Sequence, residues 1–208
     1  MRILQVTPKY PPAWSYGGIT KIVYDISKEL SKRGHYVEVW TSDTLDRYRR
    51  VKKNYYSKSI KVIRLKNMSF VLTRTFYNIH ITPDIISFAR NNLHHFDIVH
   101  LHGIRTFQSF AVFPFLKKYH TPYVLQAHGL LYEVKPKEPS HWTLYNFYNV
   151  LSGRILLKNA SKVIALDCVE AEQYKAVGVP EEKIAITPNG IDLSEYAELP
   201  PKGSFKKN

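Results

Sequence analysis

Residues 162–187, "KVIALDCVEAEQYKAVGVPEEKIAIT", contain two short apolar segments separated by a helix-like stretch. The segments Lys162–Asp167 and Lys183–Thr187 are rich in Val, Ile and Ala, which is typical of buried strands. The stretch between them ends at Gly178, and glycine is the residue that most often terminates a helix. This pattern predicts two parallel strands joined by a right-handed crossover.

The same alternation runs along the whole chain. The predicted strands are Arg2–Val6, Tyr36–Ser42, Ile60–Lys66, Asp97–Gly103, Pro122–Gly129, Lys162–Asp167 and Lys183–Thr187. The predicted helices are an amphipathic one that ends before Gly34, Pro83–Leu93, Thr106–Tyr119, a long one over Ser140–Lys158 and a short one that ends at Gly178. We therefore predict an α/β fold: a doubly wound, mostly parallel Rossmann-like sheet of about seven strands with helices on both faces.

Composition places the chain among soluble globular proteins. It has 208 residues, of which 44% are apolar and 23% charged, enough for one domain with a single core. No apolar run reaches the roughly 18 residues that a membrane-spanning helix needs. The only cysteine, Cys168, excludes an internal disulfide, and we expect a buried thiol in a cytoplasmic protein.

The formal net charge of +13 is unusual, and much of it lies in one segment. Between Arg47 and Lys66, nine Lys or Arg occur with no acidic residue. One interpretation is a solvated basic loop followed by the face of a strand. The other is a surface for a phosphate-rich partner, either a nucleic acid or an anionic membrane.

Ligands of open α/β sheets bind beyond the carboxyl ends of the strands, so the loops there should carry the chemistry. The sequence contains no G-x-G and no G-K-[ST], which argues against a dinucleotide fingerprint or a Walker loop. Instead Gly17 and Gly18 precede the first helix. They either form a turn or leave the helix N-terminus open to an anion.

Three histidines end two of the predicted strands. His100 and His102 alternate with apolar residues and therefore share one face of the fourth strand. His128 ends the fifth strand beside Gly129, where it should project into the same crevice. A metal site would need a third ligand and supporting residues that the sequence does not specify. We expect one packed histidine of the fourth strand, bonded to backbone, and one at the cleft.

Four stretches together carry a family resemblance. "VTPKYPPAWSYGG", "DIVHLHG", "QAHG" and "SKVIALDCVEAEQYKAVGVPEEKIAITPNGID", in this order and spacing, closely resemble the N-terminal half of a glycosyltransferase family 4 enzyme of the GT-B class. Such enzymes have two Rossmann-like domains that face each other across a cleft. The resemblance implies an acceptor-side domain over residues 1–196, the start of an interdomain linker at 197–208, and a donor-binding domain outside this chain.

The resemblance also implies roles for individual residues. His128 would contact the donor hexose and act in catalysis. The donor-binding residues would be Gly17, Gly18, Asn189 and Gly190, the last two in a tight turn at the cleft. The residues expected to line the cleft or contact the acceptor are Tyr16, His102, Gly103 and Arg105.

The reaction implied is transfer of a hexose, with retention, from a nucleotide sugar to a hydroxyl acceptor such as a sugar or a lipid-linked sugar. No cofactor and no essential metal are expected. The fragment alone should be inactive. The alternative from another functional class is a self-contained polyanion-binding module that uses the basic run on nucleic acid. A third possibility, compatible with the enzyme, is peripheral contact with an anionic membrane.

Overall fold

The computed structural model describes residues 1–51, 60–68, 70, 80–129, 153–193 and 197–198. Seven strands are found in these residues: β1 Arg2–Val6, β2 Tyr36–Ser42, β3 Ile60–Leu65, β4 Ile98–His102, β5 Tyr123–Gln126, β6 Lys162–Ala165 and β7 Ile184–Ile186. The helices are α1 Gly18–Lys32, α2 Asp84–Asn92, α3 Phe107–Lys118, α4 Arg154–Asn159 and α5 Cys168–Ala176.

The strands form one parallel sheet in the order β3-β2-β1-β4-β5-β6-β7. The chain starts at the centre, moves outward to β3, returns to β4 beside β1 and then moves outward to β7. The order reverses between β1 and β4, and this is where the carboxyl ends of an open sheet leave a crevice for a ligand. The predicted doubly wound fold is thus confirmed.

Helices pack on both faces because the sheet buries apolar side chains on each of them. On one face, Val23 of α1 packs with Val37 and Val39 of β2. On the other, a larger core joins the alternate residues of the central strands, such as Leu101 and Leu125, to α2, α3, α4 and α5. Both cores are buried side chains of Val, Leu, Ile and aromatic residues, so hydrophobic burial holds the helices to the sheet.

Local signals explain several helix ends. Gly34, with φ of 82°, follows the last turn of α1, as a terminating glycine should. The side chain of Thr106 accepts a hydrogen bond from the backbone N–H of Ser109 at the start of α3, and that of Asp167 accepts one from Glu170 at the start of α5. Of the predicted helix 140–158, only the part from residue 153 lies within the described residues, where α4 begins.

Two sequence predictions are wrong. Cys168 is exposed rather than buried, because the inward face of α5 is formed by Glu170, Ala171 and Tyr174. Residues 187–192 form no tight turn, and Gly190 does not adopt a positive φ. This segment has no regular secondary structure, and Asp192 pairs with Lys28 of α1 at 2.9 Å.

The basic run is largely paired where it is described. Arg49 contacts Asp46 and Arg50 contacts Asp43, each at 2.6 Å, and Lys61 lies 3.3 Å from Glu38. The guanidinium of Arg64 donates to the backbone carbonyl of Pro11. Acids upstream of the run thus pair with three of its Lys and Arg residues. Residues 52–59 of the run lie outside the described residues.

The central strands should dominate stability. Replacing Leu125, which has 0% exposure, by alanine is expected to lower the free energy of unfolding by about 2–5 kcal/mol, since a cavity remains in the core. Leu193→Ala makes the same chemical change at a residue with 73% exposure, and it should cost less than about 0.5 kcal/mol. Urea unfolding followed by circular dichroism measures both. Equal losses would contradict this description of the core.

Candidate functional site

The candidate site lies where β1, β4 and β5 end side by side. Register places Gln5 of β1 opposite His100 of β4, and His102 of β4 opposite Gln126 of β5. All four side chains are buried. They lie on the same face of the sheet as the β2 residues against which α1 packs. Polar side chains are unusual inside a parallel sheet, because burial costs free energy unless their atoms find partners.

His102 is the centre of this group. It is 1% exposed, and both ring nitrogens have partners: Nε2 lies 2.5 Å from Oε1 of Gln5, and Nδ1 lies 3.0 Å from Nε2 of His128. The ring of His100 packs 3.9 Å from that of His102, centroid to centroid. The three histidines are thus brought together as predicted, but the partners of His102 are side chains and not backbone.

The hydrogen bonds set the tautomers of two rings. The amide oxygen of Gln5 can only accept, so Nε2 of His102 carries the proton and donates it. The lone pair on Nδ1 of His102 then accepts from the N–H at Nε2 of His128. The remaining nitrogen of His128, Nδ1, is therefore unprotonated and able to accept a hydrogen bond. Gln5 thus orients His128 through His102.

Burial keeps these imidazoles neutral. Desolvation lowers the pKa of His100 to about 3, helped by the nearby His128, and that of His128 to about 4. Desolvation, followed by the proximity of His100 and His128, also puts the pKa of His102 well below its ordinary value of 6.5. At neutral pH the cluster can exchange hydrogen bonds but carries no charge.

His128 is held in an uncommon backbone conformation. Its φ of 59° lies in the left-handed region, which costs a residue with a side chain roughly 1–2 kcal/mol. Helix α5 supplies the compensating contacts. The hydroxyl of Tyr174 accepts from the N–H of Ala127 at 3.0 Å, and Oε1 of Glu170 accepts from the N–H of Gly129 at 2.8 Å.

Glu170 extends this support to the next strand. Its second oxygen, Oε2, accepts from the N–H of Leu166 at 2.7 Å, just after β6. A carboxylate that is only 4% exposed thus binds the loops that follow β5 and β6. Since both oxygens receive backbone N–H groups, the charge is solvated by the protein. Backbone strain at a rigidly held residue is a recurrent feature of functional sites.

The predicted cleft residues occupy different settings. His102 is buried and reaches the edge of the sheet only through His128, which is partly exposed. Gly103 is buried with φ of 99°, and an added Cβ would lie 2.7 Å from Thr106, so the turn itself requires glycine. Arg105 is partly exposed in that turn. Asn189 and Gly190 are exposed in the segment after β7.

Gly17 and Gly18 lie at the N-terminus of α1, beside Tyr16. Gly17 has φ of 79°, which favours glycine, whereas Gly18 has no positive φ. No described atom lies within 4 Å of a Cβ added at either position. No side chain caps the helix and its first turn contains no acidic residue. The fold therefore does not need a glycine at position 18, and the space beside it is open to a ligand.

Three supporting residues were not predicted from the sequence: Gln5, Glu170 and Tyr174. Gln5 is a polar residue within the apolar strand "RILQV", and a polar residue in a buried strand is a sequence feature that indicates a specific partner. Glu170 and Tyr174 are four residues apart in a helix, a spacing that looks like an ordinary surface pair. Nothing in the sequence indicates that this pair contacts the loop after β5.

The described residues meet the requirements of neither a metal site nor a membrane-spanning helix. Within the described ranges there is no group of three or more His, Cys, Asp and Glu side chains that could hold a metal ion. The same part of the chain contains no helix of the length and apolar character required to cross a bilayer.

The histidine cluster should make stability depend on pH. Unfolding restores the ordinary pKa of about 6.5, so the unfolded chain binds protons that the folded chain does not. The stabilisation is complete above pH 6.5 and is lost as pH falls towards 4, by up to about 1.4 kcal/mol per pH unit for each histidine. His128→Asn, whose side chain tolerates the left-handed region, should make this loss less steep; His94→Asn, at an exposed position, should not.

Denaturant unfolding at several pH values between 4 and 7 measures the effect. If the pH dependence of His128→Asn were identical to that of the parent protein, His128 would not be buried in its neutral form.

Comparison with known proteins supports a family assignment. The model of Glycosyltransferase Family 4 matches residues 16–195. No curated protein sequence matches the chain. Among solved structures, Anabaena Alr3699/HepE in complex with UDP and glucose superposes with a TM-score of 0.63 and 18% identity, over 100% of this chain and 49% of that one.

Two further structures agree. Sucrose-phosphate synthase (tll1590) from Thermosynechococcus elongatus has a TM-score of 0.65 and 16% identity, over 93% of this chain and 49% of that chain. The catalytic domain of starch synthase IV from Arabidopsis thaliana, bound to ADP and acarbose, has a TM-score of 0.58 and 15% identity, over 94% and 52%. This chain spans about half the length of these proteins, and at such identities the likeness shows the fold alone.

The fold is thus the Rossmann-like fold of GT-B glycosyltransferases, as the sequence resemblance implied. The family match covers most of the chain, from Tyr16, just before α1, into the segment after β7. This protein belongs to glycosyltransferase family 4.

Proposed function

We propose that this chain forms the acceptor-side half of a retaining glycosyltransferase, which transfers a hexose from a nucleotide sugar to a hydroxyl of an acceptor. The observation that carries the proposal is the geometry of His128: a neutral, oriented imidazole at the ligand-binding edge of a family 4 fold. The neighbouring structures were solved with UDP, glucose, ADP or acarbose, which is consistent with a nucleotide-sugar donor.

Roles follow from position. His128 contacts the donor hexose through its unprotonated Nδ1, which accepts a hydrogen bond from a sugar hydroxyl. The open backbone at Gly17 and Gly18 lets the diphosphate of the donor approach the N-terminus of α1, where uncapped N–H groups favour an anion. Asn189 and Gly190, in the exposed segment after β7, also contact the donor.

Catalysis of this kind depends on placing two substrates and stabilising the departing diphosphate. We infer that residues 1–196 form the domain described above and that 197–208 begin a linker to a second domain, which binds most of the donor. The reaction requires no cofactor and no metal ion, and it takes place in the cytoplasm. Without the second domain the chain folds but transfers no sugar.

The first test is the mass of the native gene product, detected in its source cells with an antibody against this chain. We expect a band near twice 24.2 kDa, since an added domain of ordinary size roughly doubles the length. That product should transfer sugar from one member of a panel of UDP-, ADP- and GDP-hexoses, whereas the 208-residue chain should not. Turnover by the 208-residue chain alone would contradict the proposed division of labour.

In the native product, His128→Asn is expected to lower kcat by about 10²–10³-fold, since an oriented group in contact with the reacting sugar is lost. The matched control is His94→Asn, at an exposed position between α2 and β4, near the amino end of that strand, which should retain full activity. Unchanged kcat in His128→Asn would remove His128 from the mechanism.

Gly18→Ala tests whether the glycine at this position serves donor binding and not folding. Alanine is the better helix former and no described atom obstructs its Cβ, so stability should be unchanged or raised by up to about 1 kcal/mol. The methyl group should nevertheless weaken donor binding by the native product about tenfold or more, because it occupies the space proposed for the diphosphate. Lys32→Ala, at an exposed position of the same helix, is the control. Calorimetric titration with the nucleotide measures this, and equal affinities would place the diphosphate elsewhere.

A further inference from the structure

A cavity of about 470 Å³ lies between the loops that follow β1 and β2. Its walls are formed by Lys9, Ser15, Tyr16, Asp46, Arg47 and Tyr48. It opens at the same edge of the sheet as the histidine cluster, since both loops follow the carboxyl ends of strands. Its volume is within the range of small-molecule sites. The cavity is separate from the cluster, and none of the lining side chains belongs to the Gln5–His102–His128 chain.

The charge of this cavity is positive although it contains an acid. Oδ1 of Asp46 accepts from the N–H groups of Tyr48 and Arg49, and Oδ2 pairs with the Arg49 guanidinium at 2.6 Å. These bonds, the one from Tyr48 first, lower the pKa of Asp46, so the carboxylate stays charged and is matched by Arg49. Arg49 therefore offsets the charge of Asp46.

Two cations also line the cavity. Arg47 is exposed and forms no ion pair with any residue that the structure describes. Lys9 lies with its Nζ 4.0 Å from the centre of the Tyr16 ring, which holds the ammonium group at the wall. A guanidinium and an ammonium beside one cavity suit a carboxylate or a phosphate group.

The aromatic wall suits a sugar ring. Tyr48 is 71% exposed, and Tyr16 presents a ring that is fixed by an edge contact with His80 at 5.5 Å. The Tyr16 hydroxyl is buried, and among the described residues it has no hydrogen-bond partner. Burial raises its pKa, so it remains a protonated donor.

We propose that this cavity binds the acceptor of the transfer reaction, and that the acceptor is a sugar carrying a carboxylate or a phosphate. The identification of the ligand as an acceptor rests on the proposed function; the binding of an anionic sugar does not. Arg47 and Lys9 bind the anionic group, and Tyr16 and Tyr48 contact the ring and its hydroxyls. A free sugar acid and a lipid-linked sugar phosphate share this chemistry.

Calorimetric titration of the 208-residue chain at low salt, without any donor, tests the proposal. The probes are glucose, glucuronate, glucose 6-phosphate, inorganic phosphate, and vesicles of phosphatidylglycerol. We expect glucuronate or glucose 6-phosphate to bind at least about tenfold more tightly than glucose and than inorganic phosphate, since charge and ring both contribute. Binding to glucose 6-phosphate alone would identify a phosphate-bearing acceptor, and binding to glucuronate would identify a carboxylate-bearing one.

Variants assign the binding to the cavity. Arg47→Gln is expected to weaken binding of the anionic sugar about tenfold and Tyr16→Phe by a smaller factor, while Arg33→Gln, an exposed arginine at the far end of α1, leaves it unchanged. Circular dichroism melts confirm that each variant folds.

Equal affinity for glucose and for the charged sugars, or no effect of Arg47→Gln, would overturn the proposal. Binding to the vesicles without binding to any free sugar would overturn it in favour of a membrane surface. Because no donor is present, a failure here leaves the transferase proposal intact. Conversely, absence of transfer by the native product would leave a measured sugar affinity unaffected.

Discussion

The hydrogen bond between Nδ1 of His102 and Nε2 of His128 links the interior of the sheet to its ligand-binding edge. His102 has no freedom of its own, because Gln5 holds its other nitrogen. The position and tautomer of His128 are therefore determined from a strand that lies next to β4 but far away in the sequence. Such a chain of neutral groups gives orientation without charge.

The backbone of the same residue is fixed from the other direction. Glu170 and Tyr174 of α5 bind the N–H groups on either side of His128, and Glu170 also binds the loop after β6. The side chains of Glu170 and Tyr174 are themselves buried, which strengthens their hydrogen bonds to these backbone groups. The left-handed conformation of His128 thus persists at a cost that α5 offsets. The helix that crosses from β6 to β7 serves the site as well as the fold.

The sequence predicted the fold and the meeting of the histidines for the same reason. Strand alternation places every second residue on one face, so the pattern of letters alone assigns His100 and His102 to a common side. The sequence pattern could not reveal that Gln5 is the partner of His102, because strand order within a sheet depends on the packing of the whole chain. The prediction for Cys168 is wrong, since the letters alone do not determine which face of the helix after Asp167 turns inward. The Asn-Gly pair favours a turn through its local conformational preference. In the structure the chain after β7 instead contacts α1, where Asp192 pairs with Lys28.

Gly103 and Gly18 differ in whether the fold itself requires a glycine. Gly103 is explained by its own turn, because a side chain would meet Thr106 and the backbone is left-handed. Gly18 has neither constraint, and an ordinary helix start would favour a capping or helix-forming residue there. No described atom occupies the space that a side chain at position 18 would take, which is why we propose that a ligand approaches the backbone there. In the proposed function the group that approaches is the diphosphate of the donor, and the uncapped N-terminus of α1 favours an anion at this position.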